Sequence, residues 1–288
     1  MPNFLSSIRW RWPALGVFAV AALAGCVGLD TQQRKWIFQA SVLQTVDDGA
    51  HLDGIDDVWI TLPAAAGNAP AQAVRLHGLW ADGPRPDAPL MLYLHGARRN
   101  VESSAFRIRH MRELGFAVLA IDYRGFGRSS DALPSEDSVA EDARAAWAWL
   151  AAKQPGRDRY VFGHSLGGAI AVRLASEVPD AKGLIVEGTF TSIPAVFESM
   201  KWGWLPIGPL ITQRFDSVTR IANVKVPILV VHGANDSLIP PALGQALYEQ
   251  APGPKRFELV EGGTHYSTNG RGQQQYRQAL RELFGVGV

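Results

Sequence analysis

Short apolar runs alternate with amphipathic segments along most of this chain of 288 residues. Residues 90–94 and 227–232 are almost continuously apolar, as in strands buried on both faces, whereas residues 170–175 place apolar side chains at helical spacing. We predict strands at 57–62, 73–80, 90–94, 116–121, 160–162, 183–187, 227–232 and 256–260, and helices at 103–114, 135–153, 165–177, 241–250 and 272–284. Two antiparallel strands leading into repeated β–α units predict an α/β fold, with a mostly parallel sheet of about eight strands and helices on both faces.

Residues 189–224 interrupt this alternation after the sixth strand. The segment contains Trp202, Trp204 and several prolines, and its helical periodicity is weak. One interpretation is a packing helix followed by a long loop. The other is a minimal lid that adds apolar wall to a substrate pocket, because the chain crosses the carboxyl ends of the strands here. The two interpretations are compatible, and both stay open.

The first residues have the pattern of a targeting segment. Arg9 and Arg11 precede an uninterrupted apolar stretch at 13–24, shorter than the roughly 20 residues that span a bilayer. The stretch ends in Leu23-Ala24-Gly25-Cys26, which resembles the lipobox of bacterial lipoproteins. The resemblance implies that lipid is attached to Cys26 and that the chain is cut before it. An ordinary cleaved secretory signal and an uncleaved anchor are the alternatives.

We therefore divide the chain into a signal peptide (1–25), a polar tether and lead-in (26–56) and an α/β domain (57–288). In the lipoprotein family, an aspartate after the cysteine is linked with retention at the inner membrane, whereas Val27 follows here. The resemblance thus implies a membrane-anchored lipoprotein of the cell envelope, at an outer membrane and facing the periplasm.

Composition excludes several classes of function. With 47% hydrophobic and 19% charged residues, the chain can bury one substantial core, and its net charge of +1 offers no basic face to nucleic acid. Cys26 is the sole cysteine in the sequence, so no internal disulfide can form. The histidines show no H-E-x-x-H motif and no Cys/His cluster, and we expect neither a metal site nor a cofactor.

The motif Gly163-His164-Ser165-Leu166-Gly167 lies between a predicted strand and a predicted helix. This strand–turn–helix context gives G-x-S-x-G its meaning as a nucleophile elbow. The glycines allow close approach of neighbouring backbone, and the turn exposes the Ser165 hydroxyl at the N-terminus of the helix. Ser165 is the candidate nucleophile.

Two further loops supply an acid and a base. Asp236 follows the strand at 227–232, and His265 follows the strand at 256–260, so both are delivered to the edge of the sheet that carries Ser165. The order Ser165, Asp236, His265 is the chain order of α/β-hydrolase triads. Glu187 also ends a strand and is the alternative acid. His164 points away from the nucleophile, and His95 and His232 are expected to make structural hydrogen bonds.

The oxyanion hole is predicted from backbone N–H groups. Gly96 permits a loop after the strand at 90–94, so that the N–H of Ala97 faces the site. The second donor is the N–H of Leu166, the residue after the nucleophile.

Several motifs together resemble one family of enzymes. They are Leu94-His95-Gly96-Ala97, Asp122-Tyr123-Arg124-Gly125-Phe126-Gly127-Arg128-Ser129, Gly163-His164-Ser165-Leu166-Gly167, Phe215-Asp216-Ser217, His232-Gly233-Ala234-Asn235-Asp236 and Gly263-Thr264-His265. Over residues 36–284 the chain resembles α/β-hydrolases of the Bem46-like group within the serine aminopeptidase-type superfamily. In such enzymes the Asp-Tyr-Arg-Gly-x-Gly turn is structural, so Asp122 and Arg124 receive no catalytic role.

The triad and the resemblance together predict hydrolysis of a carboxylic ester or thioester through a Ser165 acyl-enzyme. Membrane tethering and the apolar segment at 189–224 favour lipid-like acyl substrates. A serine aminopeptidase-type peptidase and a non-catalytic lipoprotein that binds ligands are the alternatives.

One departure from the family pattern follows Ala97, where Arg98 and Arg99 replace the usual small or amide residues. They form either a solvated loop or a site for an anionic group beside the scissile ester.

Overall fold

The computed structural model describes residues 27–40, 52–62 and 73–287, and within them an eight-stranded sheet forms the centre of the fold. The strands are β1 (Asp56–Leu62), β2 (Val74–Ala81), β3 (Leu90–Leu94), β4 (Ala117–Ile121), β5 (Arg159–His164), β6 (Ala181–Glu187), β7 (Ile228–Gly233) and β8 (Lys255–Val260). Their order is β1-β2-β4-β3-β5-β6-β7-β8. β2 pairs antiparallel with β1 and β4, and the other pairs are parallel. The predicted α/β fold is confirmed.

Helices cover both faces of the sheet. The helices are α1 (27–38), α2 (Ala105–Glu113), α3 (Glu136–Lys153), α4 (Leu166–Glu177), α5 (Ile193–Glu198), α6 (Ser217–Ile221), α7 (Pro241–Gln250), α8 (Thr268–Arg271) and α9 (Gln273–Phe284). Alternate residues of β3 join opposite cores, because successive side chains of a strand point to opposite faces. Leu92 packs in the core beneath α3 and α4, and Met91 packs in the core beneath α2 and α9.

The sequence predicts an irregular lead-in at the N-terminal end of the domain, but residues 27–38 form helix α1. Its last turn buries Phe38, whose ring lies edge-on to Phe126 and Phe215 at centroid distances of 6.4 and 5.8 Å. Gln33 donates from Nε2 to the Leu210 carbonyl oxygen at 2.7 Å. Residues 27–38 therefore pack against the domain, and the remaining lead-in residues at 41–51 lie outside the described part of the chain.

The segment 189–224 contains α5, a 3₁₀ turn at Gly208–Leu210 and α6. Ser192 begins α5 as its N-cap by accepting a hydrogen bond from the Ala195 N–H at 3.2 Å. The apolar side of α5 faces a cavity at the carboxyl edge of the sheet. The segment thus packs as short helices and forms a wall of the cavity, and its role as a lid over a substrate stays a prediction.

Across the described residues, no helix combines the length and the apolar character that crossing a membrane requires. The apolar stretch at 13–24 and Cys26 lie outside these residues.

Candidate active site

The turn between β5 and α4 holds Ser165 in a strained backbone conformation. Its φ is 58° and its ψ is −125°, a region that costs a non-glycine residue on the order of 1–3 kcal/mol. The Ser165 N–H donates to the Glu187 carbonyl oxygen at 2.9 Å, and its own carbonyl accepts from Thr189 Oγ1 at 2.9 Å. A Cβ at Gly167 would overlap the Leu94 carbonyl oxygen, so the turn needs glycine there.

The structure brings together the three side chains predicted as a triad. His265 Nε2 lies 3.0 Å from Ser165 Oγ, and His265 Nδ1 lies 2.8 Å from Asp236 Oδ2. Asp236 and His265 are buried, whereas Ser165 reaches the cavity. With Nδ1 donating to Asp236, Nε2 is left as the acceptor for the serine proton, which is the arrangement a general base requires.

Backbone hydrogen bonds between two loops bring Asp236 to His265. The Ala234 N–H donates to the Val260 carbonyl oxygen at 3.0 Å, and the Asn235 N–H donates to that of Gly263 at 2.8 Å. Because β7 and β8 are parallel neighbours, the loops that follow them meet at the same edge of the sheet.

Asp236 is held as a carboxylate. Burial by itself would raise the pKa of this carboxyl, but hydrogen bonds from His232 and His265 outweigh burial and hold the pKa below its usual range. The second oxygen, Oδ1, accepts from the N–H groups of Leu238 and Ile239 at 3.0 and 2.9 Å. His232, assigned a structural role from the sequence, therefore contacts the acid of the triad at 3.4 Å.

Glu187, the alternative acid, lies in a buried ion pair. Its Oε1 accepts from Arg107 Nε at 3.1 Å, and its Oε2 accepts from the Tyr276 hydroxyl at 2.5 Å. Glu187 is thus the counterion of Arg107, and the carboxylate that accepts the hydrogen bond from His265 Nδ1 is that of Asp236.

His164 supports the backbone of His265. Its Nε2 lies 2.9 Å from the His265 carbonyl oxygen, so this nitrogen is the donor, and the centres of the two rings are 4.8 Å apart. Burial, followed by the charge of Arg107, lowers the pKa of His164 well below its ordinary value. His164 is therefore neutral at pH 7 and makes a structural hydrogen bond, and the ring nitrogen next to Ser165 Oγ belongs to His265.

The residues predicted to form the oxyanion hole flank the serine. Ala97 and Leu166 both line the cavity with Ser165. A Cβ on Gly96 would lie 2.9 Å from Ser165 Cβ, which shows how closely the loop after β3 approaches Ser165. Leu166 is the first residue of α4, where the helix itself provides no acceptor for the N–H group.

The cavity around Ser165 has a volume of about 680 Å³ and is lined by both apolar and cationic side chains. The apolar side chains include those of Ile37, Phe190, Ile193, Val196, Phe197, Met200, Leu238 and Ile239. The cationic side chains that line the cavity are those of Arg98, Arg99 and Arg107. Arg98 and Arg99 are exposed at the opening, whereas Arg107 is buried.

Arg107 is a cavity residue that the sequence analysis missed. Its Nη2 is buried and has no hydrogen-bond partner within the described residues, while Nε pairs with Glu187. Burial would lower the pKa of Arg107, but the charge of Glu187 outweighs burial and keeps the guanidinium charged. Its spacing from Ser104 and Met111 places Arg107 on the buried face of α2, but that spacing does not indicate that the side chain reaches the cavity.

Asp122 and Arg124 have structural contacts. Asp122 Oδ1 accepts from the Val101 N–H at 2.7 Å, and Arg124 pairs with Asp142 through Nε at 2.9 Å. In the parts of the chain that the structure covers, no cluster of His, Cys, Asp and Glu side chains could hold a metal ion.

The fold and this constellation are those of an α/β-hydrolase, and the comparison with known families agrees. The family described as serine aminopeptidase, S33, matches residues 85–215 and 210–271, which is more than half of the 288 residues. The chain therefore belongs to this family of hydrolases.

Relatives and solved structures extend the comparison. An uncharacterized protein of Mycobacterium tuberculosis, Rv2307c, is 33% identical over 272 residues, covering 88% of this chain and 87% of the relative. The lysophosphatidylserine lipase ABHD12 of Danio rerio is 28% identical and covers 67% of this chain, which spans about half the length of that lipase (55%). The esterase Pf2001 of Pyrococcus furiosus shares the fold, with a TM-score of 0.67, 20% identity and coverage of 85% of this chain and 97% of the esterase.

Proposed function

We propose that this protein hydrolyses carboxylic esters of lipid-like acyl groups through a covalent Ser165 intermediate. The observation that carries the proposal is the hydrogen-bonded chain Ser165–His265–Asp236, opening into a cavity with a long apolar wall. Thioesters share the acyl group and are substrates of the same class.

In the first half-reaction, His265 Nε2 takes the proton of the Ser165 hydroxyl as Oγ attacks the carbonyl carbon. The oxyanion receives hydrogen bonds from the N–H groups of Ala97 and Leu166. His265 then gives its proton to the departing alcohol, and the acyl group stays on Ser165. Water, activated by His265, reverses these steps and releases the acid.

The cavity supports an amphiphilic substrate. Its apolar side chains suit an acyl chain, and its three arginines suit an anionic group near the ester. Arg98 and Arg99 lie at the opening, and Arg107 offers a buried N–H donor deeper in the cavity. The relative whose printed name includes lysophosphatidylserine lipase agrees with an ester of this kind, since its substrate combines one acyl chain with a charged head group.

The experiment compares the wild-type protein with Ser165→Ala on p-nitrophenyl esters from acetate to palmitate. We expect activity that rises with acyl length and disappears in the variant. Arg98→Ala and Arg99→Ala are then tested on an anionic ester and a neutral ester of equal acyl length. A selective loss on the anionic ester supports Arg98 and Arg99 as the site of the charged group, and a preference unchanged from the wild type removes that part of the proposal.

Peptidase activity of the aminopeptidase type has less support. A free N-terminal ammonium group needs an acidic partner, and no described residue lining the cavity is Asp or Glu. A binding role without catalysis has less support again, because it gives no reason for the short contacts of His265 with Ser165 and Asp236. Intact folding with no activity on any ester would favour these alternatives.

We also propose that the protein is attached to a membrane through lipid on Cys26, in the cell envelope and facing the periplasm. The support is the sequence before α1, an apolar stretch ending in a lipobox-like motif. We expect Cys26→Ser to remove metabolically incorporated palmitate from the protein. Incorporation that is unchanged in the variant would contradict lipidation at this residue.

A further inference from the structure

Large apolar side chains surround the opening of the cavity and point to solvent. We call these side chains the rim: Trp36, Met200, Trp202, Trp204, Leu238 and Tyr266, which are between 38% and 72% exposed. Four of them, Trp36, Met200, Leu238 and Tyr266, also line the cavity. Exposed apolar side chains are normal when scattered singly, but a group around a site opening marks an interaction surface.

The part of the rim that follows α5 has a defined conformation. The Gly203 N–H donates to the Met200 carbonyl oxygen at 2.9 Å, and the Leu205 N–H donates to that of Trp202 at 3.1 Å. Gly203 lies directly against the backbone of Glu198, at the end of α5. These consecutive turns hold Trp202 and Trp204 outward, next to the cavity residue Met200.

Helix α1 connects the rim to the N-terminal segment. Asp30 Oδ1 accepts from Thr212 Oγ1 and Gln213 Nε2 at 2.7 and 2.8 Å, and the Thr212 N–H donates to Gln33 Oε1 at 2.9 Å. These bonds fix α1 to the chain just after the rim. Leu29 and Trp36, both exposed, are seven residues apart and so lie on the same side of the helix.

The length of α1 limits the distance between the N-terminal segment and the cavity. Twelve helical residues, at 1.5 Å per residue, span about 18 Å from residue 27 to residue 38. Cys26 and the apolar stretch at 13–24 come immediately before this helix. Either of them would hold the opening within reach of a bilayer surface.

The charges beside the rim agree with a lipid surface. Arg98, Arg99 and Lys201 are exposed, and the Lys201 ammonium group lies 5.9 Å from the centre of the Trp202 ring. Glu198 is the exposed acidic neighbour. Tryptophan and tyrosine favour the bilayer interface, and cationic side chains next to them can contact anionic head groups.

We propose that the rim inserts into the interface of a bilayer and that the cavity opens directly onto the lipid, so that α1 acts as a fixed arm between membrane and opening. An amphiphilic ester then enters with its acyl chain along the apolar wall, without crossing water. The docking itself does not depend on the proposed esterase activity.

The first experiment measures insertion alone. The full-length chain carrying Cys26→Ser has no thiol, so Trp204→Cys and, as control, Trp59→Cys each accept one environment-sensitive fluorophore. Trp59 is exposed on β1 and lies outside the rim. With vesicles of phosphatidylcholine and phosphatidylglycerol, we expect a blue shift at position 204 and quenching by spin-labelled lipid that is severalfold stronger than at position 59.

Equal quenching at the two positions in vesicle-bound protein would overturn the proposal. A blue shift at position 204 that needs no vesicles and grows with protein concentration would also overturn it, because the rim would then be covered by a second copy of the chain.

The second experiment, which rests on the proposed function, uses the double variant Trp202→Ser/Trp204→Ser. We expect hydrolysis of a long-chain ester embedded in vesicles to fall severalfold, while hydrolysis of soluble p-nitrophenyl acetate stays at the wild-type rate. Equal loss on both esters, or no loss on either, contradicts docking through the rim. If the wild-type protein is inactive on both esters but still shows the blue shift and stronger quenching at position 204, the proposed esterase activity is refuted. The proposed docking is then still supported.

Discussion

At the scale of single residues, the strained turn at Ser165 depends on backbone atoms that approach closely. A side chain at Gly167 would overlap the Leu94 carbonyl oxygen, whereas Gly208 has no atom near the position of a Cβ. Replacing each glycine by alanine therefore compares a position where backbone atoms approach closely with one where they do not.

We expect Gly167→Ala to lower the free energy of unfolding by about 1–3 kcal/mol or more, because backbone has to move to admit the methyl group. Gly208→Ala should change it by less than about 0.5 kcal/mol. Urea denaturation of both variants measures the difference. Equal stability of the two variants would mean that the end of β3 does not approach α4 closely enough to exclude a methyl group.

Replacing the two candidate acids, Asp236 and Glu187, should affect activity and stability in opposite ways. Asp236→Asn leaves His265 without a carboxylate to hold its tautomer, so we expect kcat to fall by on the order of 10⁴ with the fold retained. Glu187→Gln removes the counterion of the buried Arg107, so we expect a loss of stability of about 3–5 kcal/mol. The fraction of the Glu187→Gln variant that folds should keep kcat within about tenfold of wild type. Ester kinetics and urea denaturation of both variants test this, and the reverse pattern would make Glu187 the acid.

At the scale of elements, α1 shows that part of the N-terminal region packs against the rest of the described structure. Its polar side chains bond to residues 210–213, which are 177 to 183 positions away in sequence, and its one deeply buried apolar residue is Phe38. It is thus a packed element of the hydrolase domain rather than a tether.

We expect Phe38→Ala to lower the free energy of unfolding by about 3–5 kcal/mol, because a buried aromatic ring and its contacts with Phe126 and Phe215 are lost. Lys35→Ala, an exposed position on the same helix, is the control and should change stability by less than about 0.5 kcal/mol. Urea denaturation decides the matter. A neutral Phe38→Ala would mean that α1 is only loosely attached.

At the scale of the whole molecule, we expect the free energy of unfolding to depend on pH through His77. This residue lies on β2 and contacts Asp57 on β1 and Asp122 after β4. Burial would lower the pKa of His77, and Arg128 acts in the same direction, but hydrogen bonds to Asp122 and Asp57 at 3.3 and 2.7 Å outweigh both and raise it. A raised pKa in the folded state means that protonation stabilises the fold. This contribution is complete below the unfolded pKa of about 6.5 and is lost as the pH rises through the folded pKa.

We therefore expect the free energy of unfolding to fall as the pH is raised above about 6.5, and this fall to be smaller in His77→Gln. Urea denaturation at a series of pH values measures it. A pH dependence that is the same in both proteins would show that His77 is not the group responsible.

Features that follow from neighbouring residues could be predicted from the sequence, whereas features that depend on contacts between distant residues could not. The sheet follows from apolar runs such as residues 228–232, and the approach of Ser165, Asp236 and His265 follows from the rule that parallel strands end at one edge. Helix α1 and the cavity position of Arg107 could not be found in this way. α1 is held by partners far away in sequence, and Arg107 sits on a helix face whose burial depends on Glu187, 80 positions along the chain.

The central claim is that His265 and Asp236 activate Ser165 as a nucleophile. A fluorophosphonate tests it most directly, because an activated serine displaces fluoride and forms a stable Oγ–P bond that peptide mass spectrometry can locate. We expect a single label on Ser165 in the wild-type protein, and strongly reduced labelling in His265→Ala and Asp236→Asn. Folded wild-type protein that stays unlabelled, or carries the label on another serine, would contradict it.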